Sequence, residues 1–514
     1  MSRDRSPCFL GLDSGTQSAK AGIWDAHGTR LAQASRSLSV QTPAEGWAEQ
    51  DPEQWWESAR EAIAEAVSRV DASRIAAMGV SFQRESFALL DADGRAVRPA
   101  VLWLDIRSSA EVEEAARRLG ARAYHERTGK PLDVTSVLPR MLWLARHEPA
   151  AVARAARWVD VGSYLLERLT GTSVTCVAGA DTTGLVDLDS RLWSPERLAA
   201  CGLDRLRMPG LIEPGSVAAG LTPQAARATG LEPGLPVAAG GGDGQCLSVG
   251  LGAAPGKGFT LTLGTSAILG LPRMAPSISS LYRTLVAARP DRQYLLESVI
   301  QSGTYIVKWF QDTFPGGPPS SGSPSAGDGE SLLERIPRGS DGLVTVPHWW
   351  GVRFPESLPE ARGATLGWSH RHSRAHFLRS ILEGVAFELR TLAEEYRAAF
   401  PGEPLARISA CGGGARSRAW LHILCEAMAM PILLTDEPEP AARGAAMLSA
   451  VGVGAFRHID AAAAAMVREK ETVVPDPAGV SRYEQLYRGS YLPLRKAALR
   501  LFAGRGPTKD PAGG

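Results

Sequence analysis

The chain has 514 residues, 44% hydrophobic and 22% charged, with a formal net charge of +1. That length exceeds what one hydrophobic core serves, so two or more domains are expected. The near-neutral charge argues against nucleic acid or an anionic membrane as an electrostatically recruited partner.

The first apolar run, Cys8 to Leu12, is only five residues long. With no apolar stretch long enough for a signal core or a membrane span, a cytoplasmic protein is expected. Residues 8–38 alternate like a three-strand meander, with turns at Asp13-Ser14-Gly15-Thr16 and Asp25-Ala26-His27-Gly28. Asp51-Pro52-Glu53-Gln54 reads as a helix start, and Trp55, Ala59, Ile63 and Val67 continue it at helical spacing. Ala76 to Phe82 reads as a buried strand, Phe87 to Leu90 with Asp93-Gly94 as a hairpin, and residues 110–170 as mostly helical. Glycine-rich strands return over 236–271. Residues 315–329, rich in Pro, Gly and Ser, read as a surface insertion. Ser380 to Phe400 is an amphipathic helix, and residues 407–414 are a strand entering a Gly-Gly-Gly turn before a helix from about Arg418. Six scattered cysteines, with no CxxC pair, argue against a disulfide framework or structural zinc.

Two short loops carry the functional signal. Asp13-Ser14-Gly15-Thr16-Gln17-Ser18-Ala19-Lys20 joins two strands and offers a carboxylate for Mg²⁺, backbone and hydroxyl donors, and a cation. Phosphoryl transfer needs those parts to neutralise the moving charge. Gly264-Thr265-Ser266 repeats the arrangement in the second half. Alone, the first is equally a polar hairpin tip and the second is a weaker signal, because Gly-Thr-Ser occurs in many turns; together they suit a polyphosphate held between two half-molecules. Gly240-Gly241-Gly242-Asp243-Gly244-Gln245 sets one carboxylate in a glycine-rich bend, where it could accept a hydroxyl proton or simply form the turn. Gln83-Arg84-Glu85 places donors beside a carboxylate, the mixture that vicinal hydroxyls want, although a surface ion pair looks the same. Trp103, with Asp105 and Arg107 close by, offers a flat wall for a sugar's C–H face, or a core side chain. Cys411-Gly412-Gly413-Gly414-Ala415-Arg416-Ser417 lets a base or ribose approach the backbone. It is not GxGxxG, which disfavours a Rossmann site.

Taken in order, LDSGTQSAKAGIWD, SFQRESFALLDADG, VLWLDIR, GGGDGQ, LTLGTS, LEGVAFELR, CGGGARS and EPAARGAAMLSAVGVG resemble the FGGY carbohydrate kinases, from about residue 8 to 456. The resemblance implies an α/β fold of two duplicated actin/ribonuclease-H-like domains around a central cleft. It places an N-terminal, acceptor-binding domain at 8–253, a C-terminal, nucleotide-binding domain at 254–456, and a helical tail at 457–514. It implies ATP-dependent phosphorylation of a hydroxyl, usually primary, on a sugar or polyol, with ATP and Mg²⁺ as cofactors. Asp243 matches the catalytic base and Asp13 the Mg²⁺ carboxylate. Ser14, Gly15, Thr16, Ser18 and Lys20 match the first phosphate loop; Gly264 and Thr265 match the second. Gly413, Gly414 and Ala415 match the adenosine turn, with Gly303 a further nucleotide contact. Gln83, Arg84, Glu85, Trp103, Asp243 and Gln245 match acceptor contacts of the glycerol kinase branch. Thr135, Arg140 and Val352 depart from that branch, which carries tyrosine, lysine and an acidic residue there. The segment 128–144 is also similar to autoinducer-2 and pentulose kinases. The acceptor is thus left among a ketopentose (xylulose or ribulose type), a polyol (glycerol or erythritol type) and an autoinducer-2-type metabolite. An acceptor-independent ATPase or regulator is the rival class. The assembly is left between monomer and homodimer.

Overall fold

The alternation of residues 8–38 yields the meander expected of it. The computed structural model describes residues 6–315, 333 and 335–503. Strands Cys8–Ser14, Ser18–Asp25 and Arg30–Ser37 run antiparallel, with Leu10 opposite Ile23 and Asp13 opposite Lys20. Ile75–Phe82 joins parallel to the first strand, Pro236–Gly242 parallel to that, and Val217–Gly220 closes the edge antiparallel. The central strands are apolar on both faces because helices cover both sides.

A second sheet repeats this pattern. Phe259–Leu263, Ala267–Arg273 and Tyr294–Ile300 form the meander. Ile408–Cys411 and Ile432–Thr435 join in parallel, and Glu469–Val473 closes the edge antiparallel. Arg283–Val286 adds a seventh strand beyond Tyr294–Ile300. The duplicated α/β architecture is therefore present. The stretch 457–514 is not only helical: its strand Glu469–Val473 completes the second sheet. Alternating charge in Glu469-Lys470-Glu471 hides that strand from a hydrophobicity reading, because an edge needs only one covered face.

Helix Pro52–Val67 starts as read: the Asp51 side chain accepts from the Glu53 N–H, and Pro52 fills the first turn. Helix Arg374–Ala399 begins six residues before the expected Ser380. Its Ile381, Val385, Leu389, Leu392 and Tyr396 are all buried. Phe87–Leu90 pairs antiparallel with Arg157–Asp160, and the expected hairpin returns past Asp93-Gly94 through a bridge from Leu90 to Ala96 and the antiparallel pair Phe87–Val101. These strands, with Ala100–Val101 and Glu49–Gln50, make a small four-stranded sheet. Apart from Pro315, the expected insertion 315–329 lies outside the described residues, as do residues 504–514.

The halves interlock through helices. Asp243–Gly250 follows a strand of the first sheet, and Pro440–Gly452 follows a strand of the second. The two helices cross at small residues: a Cβ on Gly250 would stand 1.8 Å from the Pro440 carbonyl oxygen, and one on Gly444 2.0 Å from that of Cys246. No side chain fits at either crossing point. Ala442, Ala446, Met447 and Leu448 share one core with Phe9, Leu10 and Met78. Residues 440–466, C-terminal in sequence, are thus packed into the first half.

Candidate active site

Residues from both sheets line one cleft, of about 890 Å³. Asp13, Lys20, Arg84 and Asp243 line one side; Gly413, Ala415 and Glu439 line the other. Asp13 ends the first strand. Asp243 is the first residue of helix Asp243–Gly250, so the expected glycine-rich bend is a helix N-terminus. A carboxylate there is favoured by the helix dipole.

The Asp243 side chain is 40% exposed, enough for a hydroxyl to reach it. Its Oδ1 accepts from the Gly244 N–H at 2.7 Å and from Arg84 Nε at 3.0 Å. Asp13 is half-buried, and its Oδ1 accepts from Ser81 Oγ at 2.7 Å. Loss of water, and then the neighbouring Asp243 charge, push its pKa up to about 6. A cation near both carboxylates would relieve that pressure. Among the described residues no cluster of three or more His, Cys, Asp or Glu side chains could hold a metal.

Arg84 and Glu85 are buried. Glu85 has a φ of 57°, in the left-handed region that non-glycine residues rarely occupy. Its Oε1 accepts from Arg283 Nη1 at 2.8 Å, and Arg84 Nη1 donates to Glu297 Oε2 at 3.1 Å. Gln83 behaves differently. Its Oε1 accepts from Thr16 Oγ1 at 3.1 Å and Ser86 Oγ at 3.0 Å, so it braces the first loop. Trp103, 38% exposed, donates from Nε1 to Thr16 Oγ1 at 2.8 Å. Its neighbours Asp105 and Arg107 form a buried ion cluster with Glu49, Arg107 lying over the Trp47 ring; they are structural. Ser14 is buried in the first strand and Ser18 opens the second; Gly15 donates its N–H to the Ser18 carbonyl at 3.0 Å, closing the loop. Lys20 Nζ meets Glu439 Oε2 at 2.7 Å across the cleft.

The second loop is tied by Gly264 N–H to the Ser266 carbonyl at 3.0 Å. Gly303 donates to the Thr265 carbonyl at 3.0 Å, and a Cβ on it would lie 2.4 Å from the Gly264 carbonyl oxygen. Gly303 therefore shores up this loop. Neither Gly264 nor Thr265 is among the residues lining the cleft. Gly413, Gly414 and Ala415 lie in a 3₁₀ turn, Gly413–Arg416, with Gly414 buried.

Family models supply what the geometry leaves open. The N-terminal domain of the FGGY family of carbohydrate kinases matches residues 8–250, and the C-terminal domain matches 259–453. The chain is 28% identical to the xylulose kinase of Bacillus subtilis over 484 residues, 93% of this chain and 95% of that one. It is 30% identical to the xylulose kinase of Lactococcus lactis over 487 residues, again 93% and 95%. The crystal structure of the Rhodospirillum rubrum xylulose kinase superposes with a TM-score of 0.87 at 28% identity, covering 96% of this chain and all of that one.

The chain belongs to the FGGY family of carbohydrate kinases.

In this FGGY kinase two of the three departures from the glycerol kinase pattern, Thr135 and Arg140, meet in one network with Arg353, the neighbour of the third. Arg140 is buried and donates to the Thr135 carbonyl and, at 2.8 Å, to that of Leu102. Thr135 Oγ1 donates to Asp133 Oδ1 at 2.6 Å, and Arg353, next to Val352, pairs with the same carboxylate. Gln245 is fully buried, and its Nε2 points at Asp181 Oδ1, 3.5 Å away. Asp181 in turn pairs with buried Lys130 at 3.0 Å. Sequence reasoning missed Arg283, Glu297, Asp181 and Lys130. The signal was present for two of them: a lone Arg in LYRTLV and a lone Glu in YLLESVI are charges inside apolar strands.

Proposed function

We propose that this sugar kinase phosphorylates a neutral ketopentose of the xylulose type. The observation that carries this reading is the charge arrangement around Arg84. Arg84 is held by Asp243 and Glu297, and Arg283 by Glu297 and Glu85. An acceptor bearing a carboxylate would have to compete with those carboxylates, and would meet Asp243 and Asp13 as well. Hydroxyl groups carry no such penalty, because they donate to Glu85 and accept from the remaining Arg84 N–H groups. The relatives named xylulose kinase support the same choice.

In the proposed reaction Asp243 accepts the proton of the acceptor hydroxyl as its oxygen bonds to the γ-phosphorus of ATP. The bond from that phosphorus to the bridging oxygen breaks, and ADP leaves. Asp13 would hold Mg²⁺, which on binding neutralises charge on the phosphate oxygens. The backbone of loops 14–16 and 264–265, with Lys20, would cradle the polyphosphate, and the 413–415 turn would face the adenosine. Thr16 of the first phosphate loop is braced by Gln83 and Trp103, two residues read as acceptor contacts. Two domains, meeting near 253/254, would close over both substrates in the cytoplasm and exclude water as a competing acceptor.

Coupled ADP release from ATP–Mg²⁺ tests this, with D-xylulose, D-ribulose, glycerol, erythritol, the autoinducer-2 precursor and gluconate as acceptors. The highest kcat/KM is expected on a ketopentose. A preference for gluconate would overturn the neutral-acceptor reading, and an acceptor-independent rate would favour the ATPase.

A further inference from the structure

Arg283 and Glu297 belong to neither the phosphate loops nor the residues first read as acceptor contacts. They face each other across two strands of the second sheet, Arg283–Val286 and Tyr294–Ile300, as a directly paired couple. Both are nearly water-free, Arg283 at 7% and Glu297 at 2% exposure. The guanidinium of Arg283 uses one Nη on Glu297 and the other on Glu85, the latter at 2.8 Å. The second oxygen of Glu297 takes Arg84 Nη1 at 3.1 Å, and Arg84 Nε reaches Asp243 at 3.0 Å. Five charges thus run Glu85, Arg283, Glu297, Arg84, Asp243, leaving the first half at Glu85, crossing the second sheet and returning to the first half at Arg84. Glu297 is flanked by two guanidinium groups, whose pull outweighs its burial and lowers its pKa to about 2.

Burying such charges is costly, and an apolar pair of similar volume would often serve stability as well. The retained arrangement has a geometric effect instead. Arg84 and Glu85 are the middle residues of the bend 83–86, which joins strand Ile75–Phe82 to strand Phe87–Leu90. Left alone, they would pair with each other or wander through their rotamers. A fork from the second sheet takes each by a separate contact and keeps the heads apart.

We propose that Arg283 and Glu297 are positioning residues for the acceptor site, setting the Arg84 and Glu85 heads at the separation that neighbouring hydroxyls of a sugar require. The proposal rests on the acceptor reading above. Acceptor recognition is then shared between both halves, while the ATP side is reached through other residues.

The test compares Glu297→Gln, Arg283→Met and Arg283→Lys with the unaltered chain, measuring KM for D-xylulose, KM for ATP, kcat and thermal melting. Displacing a positioned group can lower kcat/KM by about 10²-fold. A fall of that order is expected for Glu297→Gln and Arg283→Met, mainly through KM for D-xylulose, with KM for ATP within about twofold. Partial recovery is expected in Arg283→Lys, which keeps charge but not the fork. Unchanged KM for D-xylulose overturns the proposal, as does a parallel rise in both KM values with a lowered melting temperature. Failure of all three variants to fold would make the network a scaffold and overturn it equally. An unaltered chain inactive on D-xylulose and the other neutral acceptors defeats the acceptor reading and this proposal together. An active chain with indifferent variants defeats this proposal alone.

Discussion

At the scale of single residues, the two carboxylates of the proposed mechanism stand in different surroundings. Asp243 is open to the cleft and held by Arg84 and the Gly244 N–H. Asp243→Asn should cut kcat by about 10²–10⁴-fold while leaving ATP binding by calorimetry intact, because a general base acts on the acceptor proton alone. Asp13 has the opposite environment, with its pKa raised from 3.8 to about 6. The folded chain then binds this proton more tightly than the unfolded chain. Stability therefore falls as pH rises from about 4 to about 6 and stays reduced above. Asp13→Asn is expected to raise the melting temperature at pH 7.5, with less gain near pH 4, and to abolish turnover. In the unaltered chain, activity should fall as pH drops below about 6, when a protonated Asp13 no longer attracts a cation; excess Mg²⁺ should move that limb to lower pH. A pH–rate profile at two Mg²⁺ concentrations checks it.

At the scale of elements, the helix Asp243–Gly250 is placed by what crosses it. Its backbone lies against Pro440–Gly452 with no room for a Cβ at Gly444 or Gly250. Gly444→Ala should force the helices apart, lowering melting temperature and kcat together, since the shift moves Asp243. Overpacking of this kind typically costs about 1–3 kcal/mol. By contrast, Asp51→Ala removes only the cap of Pro52–Val67 and should cost about 1 kcal/mol without altering kinetics. The pair separates damage that reaches the site from damage that does not. Helix Pro52–Val67 was legible in the sequence because its cap, proline and apolar spacing are local. The Glu469–Val473 strand was not, because only its neighbour Ile432–Thr435 gives that charged segment a reason to extend.

At the scale of the whole molecule, two sheets with matching strand order face one cleft, and ion pairs join their halves. Lys20 to Glu439 is a part-exposed pair spanning the cleft. If Lys20 cradles the triphosphate as proposed, ATP competes with Glu439 for it, and Glu439→Gln should lower KM for ATP about two- to fivefold, within the worth of an exposed pair. The effect should shrink in high salt, because exposed charges are screened.

The sequence by itself determined the first meander, the two loop tips and the capped helix Pro52–Val67, because turns, caps and alternation are written in neighbouring residues. It also showed, through motifs in family order, that the chain is a kinase. Only the tertiary structure decided that Gln83 braces a loop rather than facing the cleft, that Asp105 and Arg107 are structural, and that residues 440–466 pack into the first half. It alone brought Arg283 and Glu297 to Arg84 and Glu85. Those partners lie about 200 residues apart in the chain, and a charge buried at that separation is explained only by the opposite charge that the fold sets against it.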